Sequence, residues 1–385
     1  MSEERPTFTV DGDRLTLLPD GPERLEALIA LIDGAGRTLR LLYYIYADDR
    51  AGRAVRDALV RAAERGVQVD MIVDGFGDAA GAGFFEALVA AGGGVCRYEA
   101  RFGRRYLLRN HQKLALADEA RALIGGFNVE DDYFGTVADG AWRDLGLLVE
   151  GDAAARLAGY YDALLDWTRA PAGKFRDLRT ILKRHSETHP GGRLRWLFGG
   201  PTRRLSPWAL VVKWDMARAR RLDMIAAYFA PNPAMLRRIE RIVKRGGQAT
   251  VMTAGKSDNN ATIAATRHCY QRLLKRGVGV LEYGATKLHS KLFVIDDVVH
   301  IGSANFDVRS LYLNLEMMLR IEDPAFAAHM RTYFAGEAAE SHVVTMAEHD
   351  RVGWFRRVQW GVAYFIVAVI DGNVTRRLNF GVDGR

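Results

Sequence analysis

The stretch HQKLALADEARALIGGFN at residues 111–128 returns in a second form, HSKLFVIDDVVHIGSAN, at residues 289–305. Each copy has a His and a Lys two positions apart, then an Asp, and then a glycine-containing run that ends in Asn. The residues after each His-x-Lys are apolar and typical of a strand. Side chains two positions apart in a strand point to one face, so the imidazole and the ammonium should project together into a pocket.

The surroundings of the two stretches also repeat. Each stretch is preceded by the order helix, strand, helix, strand, predicted at 22–32, 39–46, 52–65 and 67–73 and again at 206–220, 222–229, 233–245 and 248–253. Strands that alternate with helices indicate α/β layers with a parallel or mixed sheet. A repeat of about 180 residues is far longer than a solenoid period and indicates a duplicated domain. We predict a first half at 1–168, a basic linker at 169–205, a second half at 206–345 and a tail at 346–385.

The composition predicts a globular protein with a substantial core. Of 385 residues, 49% are hydrophobic, and 54 Lys and Arg against 47 Asp and Glu give a net charge of +7. These values exclude a disordered chain. Cys96 and Cys269 are isolated, which excludes a disulfide scaffold and a Cys-based zinc site. The start has no signal-peptide pattern, and the apolar run 360–370 is too short to span a bilayer, so we expect neither a signal peptide nor a transmembrane helix.

Several polar residues form the candidate active site. The proposed catalytic residues are His111, Lys113, Asp118 and Asn128 in the first half, and His289, Lys291, Asp296 and Asn305 in the second. An acid follows each set, Asp144 or Glu316, and each acid is expected to contact and orient a histidine ring. Asp118 and Asp296 are an odd number of positions from their lysines, which favours structural anchoring over proton transfer.

Two such sets in one pocket suit chemistry on a phosphodiester. Lys and Asn side chains would bind the non-bridging oxygens, and one imidazole would attack phosphorus to form a phosphohistidine. The other imidazole would protonate the leaving alkoxide and then activate the acceptor. The remaining histidines form no metal-ligand cluster, so we expect neither a metal nor a cofactor, with side chains supplying all the charge stabilisation.

The doubled pattern resembles the duplicated motif of the phospholipase D superfamily, and within it the motifs of bacterial cardiolipin synthases. The supporting segments are Tyr43-Tyr-Ile-Tyr46, Gly126-Phe-Asn128, Trp142-Arg-Asp144, Tyr228-Phe-Ala-Pro231, Gly302-Ser-Ala-Asn305 and Asn314-Leu-Glu316. The resemblance implies two α/β/α sandwich halves packed as a pseudo-two-fold pair, with the active site at their interface. The second copy has one residue fewer between its Asp and its Gly, and Gly126 stands where the superfamily often has Ser.

The implied activity is two-step phosphatidyl transfer from phosphatidylglycerol to a lipid hydroxyl. His111 is favoured as the nucleophile and His289 as the general acid and base. Hydrolysis of a phospholipid by water, a metal-independent nuclease and a non-catalytic binding module remain alternatives. The expected partners are a phosphatidylglycerol-like phospholipid and a membrane surface rather than nucleic acid. The expected location is peripheral, on the cytoplasmic side of the cell membrane.

The tail from Trp354 to Ile370 combines aromatic and aliphatic residues with arginine pairs, which is typical of a segment at a membrane interface. It could instead pack on the domain core, with Asp371-Gly372 forming a hairpin turn. The Arg-rich stretch 174–221 is interpreted as a solvated linker and helix face. The aromatic residues of the strands around Tyr43 and Tyr228 are expected to belong to the core rather than to contact substrate.

Overall fold

Two halves repeat one arrangement of strands and helices in the computed structural model, which describes residues 5–81, 83–98, 108–170, 174–202, 204–257 and 259–370. The first half comprises β1 (Thr7–Val10), β2 (Asp13–Leu18), α1 (Gly21–Asp33), β3 (Thr38–Tyr43), α2 (Arg50–Glu64), β4 (Gln68–Asp74), α3 (Glu86–Ala90), β5 (Gly94–Tyr98), β6 (Leu114–Ala117), β7 (Arg121–Gly125), β8 (Gly146–Glu150), α4 (Asp152–Ala155) and α5 (Leu157–Arg169).

The rest of the described chain forms the second half and its flanking segments. Its elements are α6 (Phe175–His185), β9 (Leu194–Gly199), α7 (Pro207–Arg218), β10 (Arg221–Ala226), β11 (Phe229–Ala230), α8 (Pro233–Lys244), β12 (Gln248–Ala254), α9 (Asn260–Leu274), β13 (Gly279–Tyr283), β14 (Lys291–Ile295), β15 (Val298–Gly302), β16 (Phe306–Asp307), α10 (Val308–Tyr312), β17 (Glu316–Glu322), α11 (Pro324–Ala339), β18 (Ser341–Val343), α12 (Met346–Arg351) and α13 (Trp354–Tyr364). A π-helix, Phe365–Ile370, continues α13.

Each half is built on a mixed eight-stranded sheet. The strand orders are β1-β2-β8-β7-β6-β3-β4-β5 and β18-β13-β12-β10-β14-β15-β17-β9. The strands β3, β4 and β5 pair in parallel, as do β10, β12 and β13, whereas β6–β7 and β14–β15 are antiparallel hairpins. The predicted α/β class and the duplication are therefore confirmed.

The helices before each hairpin form where the sequence pattern places them. Helix α2 buries Val55, Ala58, Leu59 and Ala62, and α8 buries Met235, Leu236, Ile239 and Ile242, so each presents one apolar stripe to its sheet. The side chains of Asp49 and Asn232 accept hydrogen bonds from the first backbone N–H groups of these helices. After each helix, Gly66 and Gly246 adopt φ of +87° and +81°, which favours glycine.

The prediction that 169–205 is an irregular linker is wrong for much of that stretch. Within it, α6 forms a helix, and β9 is the edge strand of the second sheet, antiparallel to β17. All six residues of β9 are buried. The Trp196 indole donates to the carbonyl of Ala153, and the rings of Phe198 and Tyr160 stack 3.7 Å apart. This strand therefore helps to join the halves. Because both of its faces are buried, its sequence lacks the alternation of apolar and polar residues by which a half-exposed strand is predicted.

The tail packs on the second half with one face only. Helix α13 lies along α9, where the rings of Tyr364 and His268 stack 4.8 Å apart. Asp371-Gly372 and the residues after them lie outside the described part of the chain. Within the described part, no helix combines the length and the apolar character needed to cross a membrane.

Candidate active site

The two His-x-Lys segments meet because each pairs through its backbone with a segment of the other half. The His111 N–H donates to the carbonyl of Leu315, and the His289 N–H donates to that of Arg143, at 2.9 and 2.8 Å. The Arg143 N–H in turn donates to the carbonyl of Lys287. This crossed pairing places the ring centroids of the two histidines 6.5 Å apart.

Each histidine is oriented by a carboxylate of the opposite half. Nδ1 of His111 lies 3.1 Å from Oε2 of Glu316, and Nδ1 of His289 lies 2.7 Å from Oδ2 of Asp144. Both acids therefore contact a histidine ring, and in each case the ring belongs to the other half. The reason is the backbone pairing, since Leu315 and Arg143 immediately precede the two acids.

Burial lowers the pKa of both histidines. The pKa of His289 lies below its usual value because of burial and of the nearby Lys291, which together outweigh Asp144. The pKa of His111 is lowered by burial and by Lys113. A carboxylate only accepts hydrogen bonds, so a neutral imidazole carries its proton on Nδ1 and leaves the Nε2 lone pair free.

The two lysines lie buried beside the histidines. Nζ of Lys113 donates to the carbonyl of His111 at 2.7 Å, and Nζ of Lys291 donates to the carbonyl of His289. Burial lowers the pKa of Lys113 well below its usual value. Neither lysine is among the residues that line the cavity described below, so both lie beneath its surface.

The two asparagines occupy matching places, each just after the second strand of its hairpin, β7 or β15. Oδ1 of Asn128 accepts from the N–H of Ile45, and Oδ1 of Asn305 accepts from the N–H of Tyr228. Nδ2 of Asn128 also donates to the Tyr133 hydroxyl at 3.0 Å. Both asparagines line the same cavity as both histidines, as the repeated spacing predicts.

The two carboxylates are held differently. Glu316 accepts from the hydroxyls of Ser303 and Ser310 at 2.5 and 2.8 Å. Asp144 instead packs against Gly126, where an added Cβ would lie 2.5 Å from its Oδ1. Glycine in place of serine at this position therefore makes room for the Asp144 carboxylate.

Asp118 and Asp296 lie at the other end of the hairpins, away from the histidines. The Asp118 carboxylate accepts from the backbone N–H groups of Gly36, Arg37 and Thr38, and the Asp296 carboxylate accepts from those of Arg220 and Arg221. The prediction that Asp118 and Asp296 belong to the catalytic residues is not supported, because neither lines the cavity that contains the histidines. They anchor the turn to the neighbouring strand, in line with the odd spacing from the lysines.

The cavity above the histidines has a volume of about 710 Å³. Several further residues that line it were not assigned to the site from the sequence, namely Tyr44, Phe76, Arg109, Glu130, Asp132, Trp142, Tyr228, Asn259, Lys287 and Arg309. Tyr43 and Phe229 are buried in the core as expected, but their neighbours Tyr44 and Tyr228 face the cavity. The assignment of all these strand aromatics to the core is wrong for those two.

Arg24 is a further residue that the sequence analysis missed. It is fully buried, and its guanidinium donates to the carbonyls of Asp144 and Tyr133 at 2.7 and 2.8 Å. It thereby fixes the main chain that carries one orienting acid. Arginine side chains are usually exposed, so the sequence gave no reason to expect a buried arginine near the start of α1.

The chain is similar to known proteins in both of its halves. The sequence model of the family described as "Cardiolipin synthase, PLD-like domain" matches residues 28–157 and 213–337. The chain is 30% identical over 363 residues to the major cardiolipin synthase ClsA of Bacillus subtilis, covering 91% of this chain and 74% of that protein. It is 28% identical over 351 residues to a cardiolipin synthase of Listeria monocytogenes, covering 88% of this chain and 71% of the relative.

Solved structures share the fold at low sequence identity. The phosphatidylserine synthase of Haemophilus influenzae superposes with a TM-score of 0.71 at 14% identity, covering 97% of both chains. The polyphosphate kinase of Porphyromonas gingivalis superposes with a TM-score of 0.58 at 16% identity, covering 87% of this chain and 49% of the other. These likenesses support the two-halved architecture.

Proposed function

Since the chain belongs to the cardiolipin synthase family of phospholipase D-like proteins, we propose that it is a phosphatidyltransferase that moves a phosphatidyl group from phosphatidylglycerol to a lipid hydroxyl. The observation that carries this proposal is the pair of histidines in one cavity, 6.5 Å apart, each bonded through Nδ1 to a carboxylate. That spacing leaves room for one phosphorus atom between two Nε2 atoms.

In the first step, Nε2 of His111 attacks the phosphorus of the donor lipid. The N–P bond forms as the P–O bond to the glycerol headgroup breaks, and His289 gives its Nε2 proton to the departing alkoxide. The phosphodiester anion raises the pKa of the buried His289 while it occupies the cavity, which favours the protonated form needed for this transfer.

In the second step, the neutral His289 removes the proton from the hydroxyl of the second lipid. The resulting alkoxide oxygen attacks phosphorus, the N–P bond breaks, and His111 recovers its lone pair. Lys113 and Lys291 balance the charge of the phosphoryl oxygens from beneath the cavity, and Asn128 and Asn305 face these oxygens. This scheme uses no metal ion.

The expected substrate places the enzyme at a membrane surface. Phosphatidylglycerol and its acceptor lipid are bilayer components, so the protein has to reach the headgroup layer. We propose peripheral attachment on the cytoplasmic side of the cell membrane. The cavity contains Arg109 and Arg309 besides the catalytic groups, and both would favour anionic headgroups.

One experiment distinguishes the possible reactions. Purified protein is incubated with vesicles of phosphatidylglycerol labelled in its phosphate, in EDTA, and the lipid products are separated. Cardiolipin with free glycerol supports the proposal, whereas phosphatidic acid as the main product indicates hydrolysis by water. In a parallel incubation with DNA, cleavage without lipid turnover indicates a nuclease. Activity that requires an added metal would contradict the scheme above.

The role of each histidine is tested with substitutions. His111→Ala and His289→Ala should each abolish transfer. A phosphoryl adduct trapped by denaturation at alkaline pH, where the N–P bond survives, should map to the peptide that contains His111. An adduct on His289 would reverse the two roles and leave the reaction class unchanged.

A further inference from the structure

Large apolar side chains stand exposed along α13 and the π-helix that follows it. Trp354 is 77% exposed, Phe355 61%, Val358 and Val362 52% each, Phe365 52% and Ile366 49%. We call these six residues the apolar stripe. The four in α13 fall within an arc of about 100° because successive helical residues turn by about 100°. A contiguous exposed apolar patch of this kind marks an interaction surface.

The opposite face of α13 is fixed to the second half. The Tyr364 hydroxyl donates to the carbonyl of Pro231 at 2.7 Å, and Trp360 is buried beside His349. The Arg357 guanidinium donates to the carbonyl of His349 at 3.0 Å and to that of Val352 at 2.9 Å. The apolar stripe is therefore held in one orientation relative to the rest of the protein.

The stripe ends at the rim of the active-site cavity. Val367, which directly follows Ile366 of the stripe, lines that cavity. Helix α9, on which α13 packs, also reaches the cavity through Asn259 and Thr262 at its start. A flat partner that covers the stripe would consequently lie next to the cavity.

We propose that the apolar stripe is the surface with which the protein docks on the lipid bilayer, so that the neighbouring cavity faces the headgroup layer. This inference rests on the proposed function, because the substrates of that reaction are bilayer lipids. Trp and Phe side chains suit the boundary between headgroups and acyl chains, where an interfacial helix inserts by roughly 5–10 Å.

The charge around the stripe fits the same partner. Arg351 and Arg356 are exposed beside it, and the sequence of α13 contains no acidic residue. The whole chain carries a net charge of +7. Phosphatidylglycerol is anionic, so a bilayer rich in the donor lipid attracts this face.

Vesicle binding by matched variants tests the proposal. The full chain with Trp354→Ser, Val358→Ser and Val362→Ser is compared with the full chain carrying Trp214→Ser, Val89→Ser and Val343→Ser, a set of the same residue types that is also exposed but lies outside the stripe. Binding is measured by flotation with vesicles of equal parts phosphatidylglycerol and phosphatidylcholine. We expect the stripe variant to lose at least about tenfold in affinity and the control to keep that of the parent.

Two outcomes of this assay would overturn the proposal. One is equal binding by parent, stripe variant and control. The other is a parent dimer that dissociates only in the stripe variant, with vesicle binding retained, since that would assign the stripe to a second copy.

Tryptophan fluorescence provides an independent measurement. Lipids brominated in the acyl chain quench tryptophans that enter the bilayer. Trp354→Phe should remove much of the quenching seen for the parent, whereas Trp214→Phe should leave it. Equal loss in both variants would contradict docking through the stripe.

The failure of this inference can be told apart from failure of the proposed function. Binding and quenching are measured without turnover, so they remain valid if no transferase activity exists. If the activity exists, the ratio of turnover on vesicles to turnover on monomeric short-chain phosphatidylglycerol should fall at least about tenfold in the stripe variant. An unchanged ratio would overturn the docking surface and leave the reaction intact.

Discussion

Nδ1 of His289 lies 2.7 Å from Oδ2 of Asp144, although the two residues belong to different halves of the chain. The matching pair, His111 and Glu316, crosses the interface in the other direction. Both contacts follow from the backbone pairing that joins each His segment to the segment preceding an acid. Neither half thus contains a complete set of groups for the proposed chemistry.

Asp144→Asn should lower kcat by about 10²–10⁴-fold with a small effect on KM. The amide keeps the size of the side chain but cannot balance the charge of a protonated His289. Steady-state kinetics on phosphatidylglycerol vesicles measure the effect.

Asp215→Asn is the matched control for this variant. Asp215 holds the buried His300 at 2.8 Å within the second half, and neither residue lines the active-site cavity. This control should lower thermal stability and leave kcat within a few-fold of the parent. Equal loss of kcat in both variants would show that disturbed folding, rather than a lost charge beside His289, explains the effect.

Gly126→Ala should lower kcat at least about tenfold because its Cβ would lie 2.5 Å from Oδ1 of Asp144 and would displace the carboxylate. Gly284→Ala is the control, since a Cβ there would meet nothing within 4 Å. Kinetics are compared with the melting temperature of each variant. A fully active Gly126→Ala enzyme would mean that the position of Asp144 is not critical.

Much of the fold follows from patterns that are local in the chain. The helices before each hairpin were predicted to within a few residues, because apolar residues recur at helical spacing and a glycine ends each helix. The His, Lys and Asn of each copy were also identified, because their spacing repeats. Local pattern and local structure agree at these positions.

The remainder depends on contacts between distant residues. Glu316 and His111 are 205 positions apart, and no local pattern shows which acid pairs with which imidazole. The strand Leu194–Gly199 was hidden because burial on both faces removes alternation. Arg24 was missed because its carbonyl partners come together only in the folded protein.

Asp118→Ala should reduce stability rather than kcat. Its carboxylate accepts three backbone hydrogen bonds, and losing them should cost about 1–3 kcal/mol in the free energy of unfolding. Burial would raise the pKa of Asp118, but the backbone donors outweigh it and lower the pKa. The contribution is therefore present above the unfolded value of about 3.9 and is lost as pH falls through the folded pKa.

Urea titrations of parent and Asp118→Ala at neutral and acidic pH measure this contribution. The stability difference between them should be largest near neutral pH and should shrink in acid. A large fall in kcat at unchanged stability would instead return Asp118 to the catalytic group.

Glu316→Gln should move the acid limb of kcat/KM to lower pH. Burial and Lys113 lower the pKa of His111, whereas Glu316 raises it. The parent limb, which reports protonation of the nucleophile, should therefore lie below pH of about 6.5, the ordinary value for histidine. Removing the carboxylate charge lowers the pKa of His111 further, so the neutral imidazole persists in stronger acid.

The same histidines should affect stability in a defined direction. A histidine whose pKa is lower in the folded than in the unfolded chain binds fewer protons when folded, so stability falls as pH drops below about 6.5. His111→Gln should reduce this loss. The pH profile of kcat/KM for Glu316→Gln and the pH dependence of unfolding for His111→Gln check the two effects. An acid limb that stays in place in Glu316→Gln would mean that the limb reports a group other than His111.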